Sequence, residues 1–219
     1  MAFVGDDGVG QAASADDAED SVALAPGGDG GAAGDDAIFT RGGLRMGETL
    51  LVNGATGGVG TAAVQMGVAV GARVLANARS HQDALKELGA EPVALDDAAG
   101  VDVVIELVGA RNLTGSLQAL APLGRIIVVG TGAGADTDIS LRALMGKRAS
   151  VMGTVLRARP LEQKAAAVQA FAHQVVPHLA SGRIAPLVDR VFPAEEATAA
   201  FDRLAEPGKL GKVLLDFGA

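Results

Sequence analysis

The chain has 219 residues, 49% of them hydrophobic and 20% charged, with a formal net charge of −8; that length suits one mid-sized domain with an appendage. It contains no Cys, Tyr or Trp, which excludes disulfides, thiolate metal sites, cysteine nucleophiles and any mechanism that needs a phenol. The charge is uneven: residues 1–36 hold eight Asp and one Glu without a Lys or Arg, leaving 17 acidic residues against the 18 basic ones in the rest, and an acidic chain argues against bulk nucleic-acid binding.

Mean hydropathy is +0.31, yet no run approaches the ~18 uninterrupted apolar residues of a membrane span. The first residues lack a basic stretch followed by an apolar one, so no secretory signal is read and the cytoplasm is the expected compartment.

Residues 1–36 are almost entirely Gly, Ala, Asp and Ser, without a period of 2 or 3.6. Such a segment buries too little apolar surface to offset its ordering entropy, so it reads as a disordered arm. Order is expected near Ile38. Thr49–Val52 is a short apolar run that leads into a Gly-rich turn. Thr61–Val70 has small and apolar residues at helical spacing, and Arg73–Asn77 reads as a second strand. Gln82–Leu88 is a helix closed by Gly89. Pro92–Leu95 reads as a third strand, and Asp102–Leu107 as a fourth, apolar enough to be buried on both faces. Asn112–Ala121 is helical, with Pro122 and Gly124 as its stop. Arg125–Gly130 and Ser150–Val155 are the fifth and sixth strands. Leu161–Leu179 reads as one long amphipathic helix with Pro160 at its start. Alternating helices and continuously apolar strands predict an α/β fold with a doubly wound parallel sheet of the Rossmann type.

The strongest local signal is Asn53-Gly-Ala-Thr-Gly-Gly-Val-Gly60, between a predicted strand and a predicted helix. Aligned to G-x-G-x-x-G it reads Ala55-x-Gly57-x-x-Gly60. Small residues permit the tight turn, Gly57 lets a pyrophosphate approach the backbone, and Gly60 lets helix and strand pack closely. The phosphates would sit on free N–H groups at the helix N-terminus. Two rival readings fail. The short-chain dehydrogenases that share this Gly spacing use a catalytic Tyr, and a P-loop needs a Gly upstream of Gly-Lys-Ser/Thr, which Gly146-Lys147-Arg148 does not supply. An NAD site usually places an acid at the end of the second strand. Here Ala76-Asn-Ala-Arg-Ser80 has none, while Arg79 and Ser80 suit a 2′-phosphate, so NADP(H) is the expected cofactor.

These stretches, with Arg41–Glu48, Gln65, Leu88-Gly-Ala90, Ile105–Gly109, Gly124–Gly130, Gly153–Arg159 and Gly211–Leu215, together resemble a medium-chain dehydrogenase/reductase of the zinc-free quinone oxidoreductase (zeta-crystallin-like) branch. The 153–217 stretch is most similar to its p53-inducible quinone reductase-like members. The resemblance implies NADPH-dependent reduction of quinones or activated enones. It implies that Thr56, Gly57, Gly58 and Val59 face the pyrophosphate and that Arg79 and Ser80 take the 2′-phosphate. Gly109 would line the adenosine side. Val129, Gly130 and Thr131, with Val155 and Leu156, would line the nicotinamide end. Asp96 stands where many members carry an aromatic residue.

Members of the branch also have an N-terminal GroES-like domain, whose place the acidic arm takes here. The expected layout is therefore an arm over 1–36, a dinucleotide-binding domain over 37–183 and, over 184–219, a segment that packs on the GroES-like domain in the family. Leu187, Val188, Val191, Phe192, Val213, Leu214 and Leu215 of that segment would then lack a partner, which points to a homo-oligomer or a partner subunit. Two other readings stand beside the reductase: a non-catalytic NADP(H)-binding module or truncated remnant, and an enoyl-reductase-like module completed by another chain.

The remaining candidates read as structural. His173 and His178 lie five apart, which is not the spacing of a helical metal pair, and no metal site is expected. His81 reads as a surface residue, Glu106 as part of its strand motif, and Met66, Met145 and Met152 as core filler. Catalysis in this branch needs little from side chains, because the cofactor carries the hydride. No catalytic residue is assigned.

Overall fold

The computed structural model describes residues 30–218. Six parallel strands form one sheet in the order β3-β2-β1-β4-β5-β6: β1 (Thr49–Asn53), β2 (Arg73–Asn77), β3 (Glu91–Pro92), β4 (Val101–Glu106), β5 (Leu120–Val128) and β6 (Ser150–Gly153). The chain leaves β1 towards β2 in one direction and later resumes at β4 on the other side of β1. That reversal is the switch point of a doubly wound sheet, where the loops on the two sides part and leave a crevice.

The alternation of side chains along a strand feeds two cores. Leu50, Val52, Val103, Ile105 and Ile127 pack on one face. There they meet helix α1 (Gly30–Asp35), α2 (Gly58–Ala69) and α6 (Leu161–Gln174) through Ala32, Ala63, Met66 and Phe171. Leu51, Leu75, Val104 and Ile126 pack on the other face, against Leu117 of α4 (Ala110–Ala119) and Leu144 of α5 (Leu141–Lys147). The short helix α3 (Gln82–Glu87) joins β2 to β3. Each buried Leu, Ile or Val contributes roughly 1.5–3 kcal/mol, so the central strands carry most of the stability.

Several boundaries differ from expectation. Helix starts at Gly30 and runs on as a π-turn over Asp36–Arg41, so residues 30–36 are not part of a disordered arm. Ala32, Ala37 and Ile38 find apolar partners on α2 and α6, which Gly/Ala composition alone did not signal. The rest of the expected arm lies outside the described residues. The predicted helix Leu161–Leu179 is two: α6 ends at Gln174 and α7 runs over Val176–Ala180. Pro177 lacks the N–H that a continuous helix needs and crowds the preceding turn. The third strand shrinks to Glu91–Pro92, followed by a 3-10 turn over Leu95–Asp97, and the sixth stops at Gly153. Strand β5 starts at Leu120, ahead of Pro122 and Gly124, and absorbs them as a bulge between its pairings with Val101 and Val103.

The C-terminal segment forms its own small unit. Strands β7 (Val188–Pro193) and β8 (Lys212–Asp216) pair in parallel and are joined by helix α8 (Ala197–Ala205). Phe192, Ala200, Val213 and Leu215 make a separate core, and Leu214 is buried as well. The expectation that these apolar residues lack partners is corrected for Phe192, Val213, Leu214 and Leu215, while Leu187 is half-buried and Val188 and Val191 stay about 40% exposed.

Candidate functional site

All the loops that follow β1, β2, β4, β5 and β6 emerge at one end of the parallel sheet, and every sequence-predicted site residue lies on them or on the first turn of α2. The β1–α2 turn is at the switch point. Helix α2 has Gly57 as its N-cap with no side-chain cap, and its first backbone bond is Thr61 N–H to the Gly57 carbonyl at 2.8 Å. The N–H groups of Val59 and Gly60 have no acceptor among the described residues, while the bridge between Gly57 and Gly211 turns the Gly58 N–H toward the Gly211 carbonyl. Uncapped N–H groups at a helix start favour an anion. A Cβ on Gly60 would stand 2.8 Å from the Ala55 backbone, whereas one on Gly57 would meet nothing nearer than 3.6 Å. Gly60 is required by packing; Gly57 leaves open space above the turn.

Lys212 is the residue that sequence reasoning missed. A Cβ on Gly58 would stand 2.8 Å from its Nζ and 2.7 Å from its Cδ, so the side chain reaches across the start of α2. The C-terminal unit brings it there: Gly211 donates to the Thr56 carbonyl at 2.9 Å and pairs with Gly57 as a parallel bridge. The motif Gly211-Lys212 was visible, but not which turn it meets. A cation above an uncapped helix start suits a pyrophosphate.

Arg79 and Ser80 follow β2, with Arg79 exposed and Ser80 half-buried. His81 is exposed in the left-handed region (φ 59°), and its Nε2 lies 3.0 Å from the Gly208 carbonyl. Gly109 caps α4 with φ 106°, and a Cβ there would stand 2.8 Å from Thr131 Cα. Gly109 and Thr131 are thus brought together, backbone to backbone, with Val129 and Gly130 leading into the contact. Val155 is 57% exposed, and Leu156 packs partly against the first core. Of the three methionines, Met66 is buried, Met152 packs at the edge of the first core, and Met145 is exposed on α5 rather than core filler.

The loop that carries Val155 and Leu156 is fastened by the π-turn that follows α1. Arg159 Nη1 and Nη2 donate to Asp36 Oδ1 and Oδ2 at 2.9 and 2.5 Å, and Thr154 Oγ1 donates to Asp36 Oδ2 at 2.9 Å. Burial pushes the Asp36 carboxyl up, but the hydrogen bonds from Arg159 and Thr154 and the Arg159 charge outweigh it and hold the group below the usual carboxylate range. Asp35 beside it is fully buried and finds no hydrogen-bond partner among the described residues. Burial, with the Asp36 charge second, raises it to about 6.

An open depression of about 640 Å³ lies at the C-terminal end of α2, lined by Met46, Val68, Gly71, Leu88 and Arg183. It is far along the helix from the glycine turn. Its buried polar lining residue, Gln65, has both amide ends committed to the Ala185 backbone at 2.9 Å, so it offers no fixed polar group to a ligand. Among the described residues no three His, Asp or Glu side chains gather as metal donors.

This geometry is that of the dinucleotide-binding domain of an NAD(P)-dependent oxidoreductase, with a Rossmann-type sheet and an uncapped helix start at its switch point. The family profile described as "Zinc-binding dehydrogenase" matches residues 70–215. The chain is 33% identical over 195 residues to rat (Rattus norvegicus) quinone oxidoreductase, covering 82% of this chain and 57% of the relative. It is also 33% identical over 188 residues to one polypeptide of the phenolphthiocerol/phthiocerol polyketide synthase of Mycobacterium tuberculosis, covering 78% of this chain and 8% of that one. The crystal structure of a putative alcohol dehydrogenase from Sinorhizobium meliloti 1021 superposes with a TM-score of 0.74 at 29% identity, over 85% of this chain and 53% of the other. The chain belongs to the zinc-binding dehydrogenase family and is a quinone oxidoreductase-like medium-chain dehydrogenase/reductase. It spans little more than half the length of rat quinone oxidoreductase.

Proposed function

We propose that the chain binds NADP(H) and serves the reduction of a quinone or an activated enone, without a metal. The observation that carries the nucleotide half of this reading is the uncapped start of α2 with Lys212 reaching across it. In it, the N–H groups of Val59 and Gly60 hold the pyrophosphate and Lys212 neutralises it, while Thr56, Gly57 and Gly58 shape the approach. Arg79 and Ser80 take the 2′-phosphate, since the tip of β2 carries no carboxylate to repel it. Gly109 borders the adenosine. Val129, Gly130 and Thr131, with Val155 and Leu156, form an apolar and backbone wall for the nicotinamide and keep water from it.

Bound NADPH supplies the hydride. The chain's residues bind and orient it, and Asp36 and Arg159 hold the Val155–Leu156 loop in place against it. The other wall of a substrate cleft belongs to a partner subunit or a second copy that also covers the Val188–Val191 edge. Similarity to a short stretch of a polyketide synthase favours a second reading, an enoyl-reductase-like module of a larger assembly. A nucleotide-binding module without its own turnover is the outcome if no such partner completes the cleft.

The test is a titration of NADPH followed by its own fluorescence, in a chain with no Trp or Tyr to interfere. Saturable binding is expected, with Arg79→Ala weakening NADPH about tenfold or more, as for a lost hydrogen bond to a charged group, and leaving NADH nearly unchanged. Equal loss for both nucleotides would refute the 2′-phosphate role. Turnover of a quinone, against none, separates the reductase from the binding module.

A further inference from the structure

The nucleotide reading gives the Glu106 side chain no contact with the ligand, yet it is fully buried together with Asn53 and Ser116. The residues that end β2, β1 and β4 stand in one row, Asn77 opposite Asn53 and Asn53 opposite Glu106. Hydrogen bonds run along the row with a single polarity. Asn77 Nδ2 donates to Asn53 Oδ1 at 2.9 Å. Asn53 Nδ2 donates to Glu106 Oε2 at 2.7 Å and to Ser116 Oγ at 2.8 Å, and the Ser116 hydroxyl donates to the same Oε2 at 3.2 Å. The second carboxylate oxygen, Oε1, accepts the N–H groups of Val108 and Gly109 at 2.8 and 2.9 Å. A carboxylate only accepts, whereas an amide accepts at one end and donates at the other. The acceptor that closes the row therefore dictates which way both amides face.

We propose that Glu106 is a positioning residue for the adenosine side of the crevice. One carboxylate holds the Val108–Gly109 turn. Through Asn53 it also sets the Asn77 amide with Oδ1 outermost, an acceptor at the tip of β2 for the amine or hydroxyl donors of an adenosine phosphate. Asn77 Oδ1 takes no hydrogen bond from the described residues. The two backbone bonds also fix Gly109 against Thr131, so one side chain sets both lips of the crevice. This inference rests on the dinucleotide reading and names the part of the ligand concerned.

Glu106→Gln tests it with almost no change of shape. The two backbone N–H groups keep an oxygen at 106, so the new NH₂ falls where Oε2 was and faces a donor. Asn53 must turn over to accept, its own NH₂ passes to Asn77, and Asn77 turns in its turn, leaving a donor outermost. Adding Asn53→Asp undoes this. The new carboxylate at 53 accepts from the amide at 106 with one oxygen and from Asn77 with the other, at the original net charge.

Binding of NADPH, 2′,5′-ADP and nicotinamide mononucleotide is measured for each variant. In the ligand-free protein, side-chain amide cross-peaks of Asn53 to Ser116 or to Asn77 are followed by NMR. The single substitution is expected to weaken NADPH and 2′,5′-ADP about tenfold, the scale of one hydrogen bond misdirected, with the mononucleotide unchanged. The Glu106→Gln/Asn53→Asp pair should return both to within about threefold of the parent, since its hydrogen bonds are again complete. Amide cross-peaks that do not change in Glu106→Gln, or a double variant no better than the single one, overturn the proposal. If the single variant does not fold, a double variant that folds and binds supports the relay, and one that fails to fold overturns it. A parent chain that binds no dinucleotide would refute the function proposed above, while the amide orientations would still decide the relay.

Discussion

Two side chains at adjacent positions behave in opposite ways. Asp35 has its carboxyl raised to about 6 by burial, with Asp36 adding to it, so the folded chain binds a proton that the unfolded chain has already released. Stability should therefore fall as pH rises from about 4 to 6, and the penalty is complete above that. At roughly 1.4 kcal/mol per pKa unit, its ceiling is about 3 kcal/mol. Asp35→Asn removes the charge with little change of shape. It should raise the denaturation midpoint at pH 7 and flatten the 4–6 window, as urea titrations at several pH values would show; an unchanged slope would count against it. Asp36 works the other way. Its carboxyl is lowered, so its contribution is present above about 4 and is lost only as pH falls below that. At the glycine turn, Gly60→Ala forces a methyl to 2.8 Å from Ala55. The expected cost is about 1–3 kcal/mol, seen as a melting midpoint several degrees lower.

At the scale of elements, the chain advertised its strands well and its surface helices poorly. Strand β2 falls on Arg73–Asn77 as expected, because a short apolar run between Gly71 and a polar loop has one reading. Helix α5 is seven residues long with no fully buried residue, too short for its Leu141, Leu144 and Met145 to stand out as a period. Strands β7 and β8 were legible as apolar runs but not as partners, since they pair across an intervening helix. The site was legible where it is local. The turn at 53–60 needs only its own residues, whereas the meeting of Lys212 with Gly58, and the Asn77–Asn53–Glu106 row, join positions far apart in sequence. The Asp36–Arg159 tie is of the second kind, and it fastens the π-turn after α1 to the loop after β6. Arg159→Leu leaves the buried Asp36 carboxylate with only the Thr154 hydroxyl and the more distant Arg41, at a cost of up to about 3–5 kcal/mol. Asp36→Asn should cost less, because the guanidinium it frees is nearer solvent. Hydrogen exchange over residues 154–159 should quicken in both, and an unchanged pattern would mean that the loop is held by other contacts.

At the scale of the molecule, the apolar surface is distributed unevenly. Phe201 is 63% exposed and Leu204 42% exposed on one side of α8, in the same small unit as the open Val188–Val191 edge. Isolated exposed residues are ordinary, but apolar residues left open both on one side of a helix and on the strand beside it make a candidate contact surface. Sedimentation is expected to show concentration-dependent association, and Phe201→Ser with Leu204→Ser should shift it towards monomer. A parent chain that stays monomeric at every concentration would argue that this face has no partner among its own copies.

The all-parallel sheet has one more consequence, and it concerns time. No neighbouring strands in the six-stranded sheet can close through a hairpin. The tip of β1 meets that of β2 across 24 residues and that of β4 across 53. Sheets built from such distant pairings fold slowly, because each loop must close before any contact rewards it. During synthesis, at about 5–20 residues per second, the apolar strand Thr49–Asn53 waits several seconds on the ribosome before its second neighbour exists. Refolding from denaturant should accordingly be slow and sensitive to protein concentration, with β1 the segment most exposed to wrong partners in the interval.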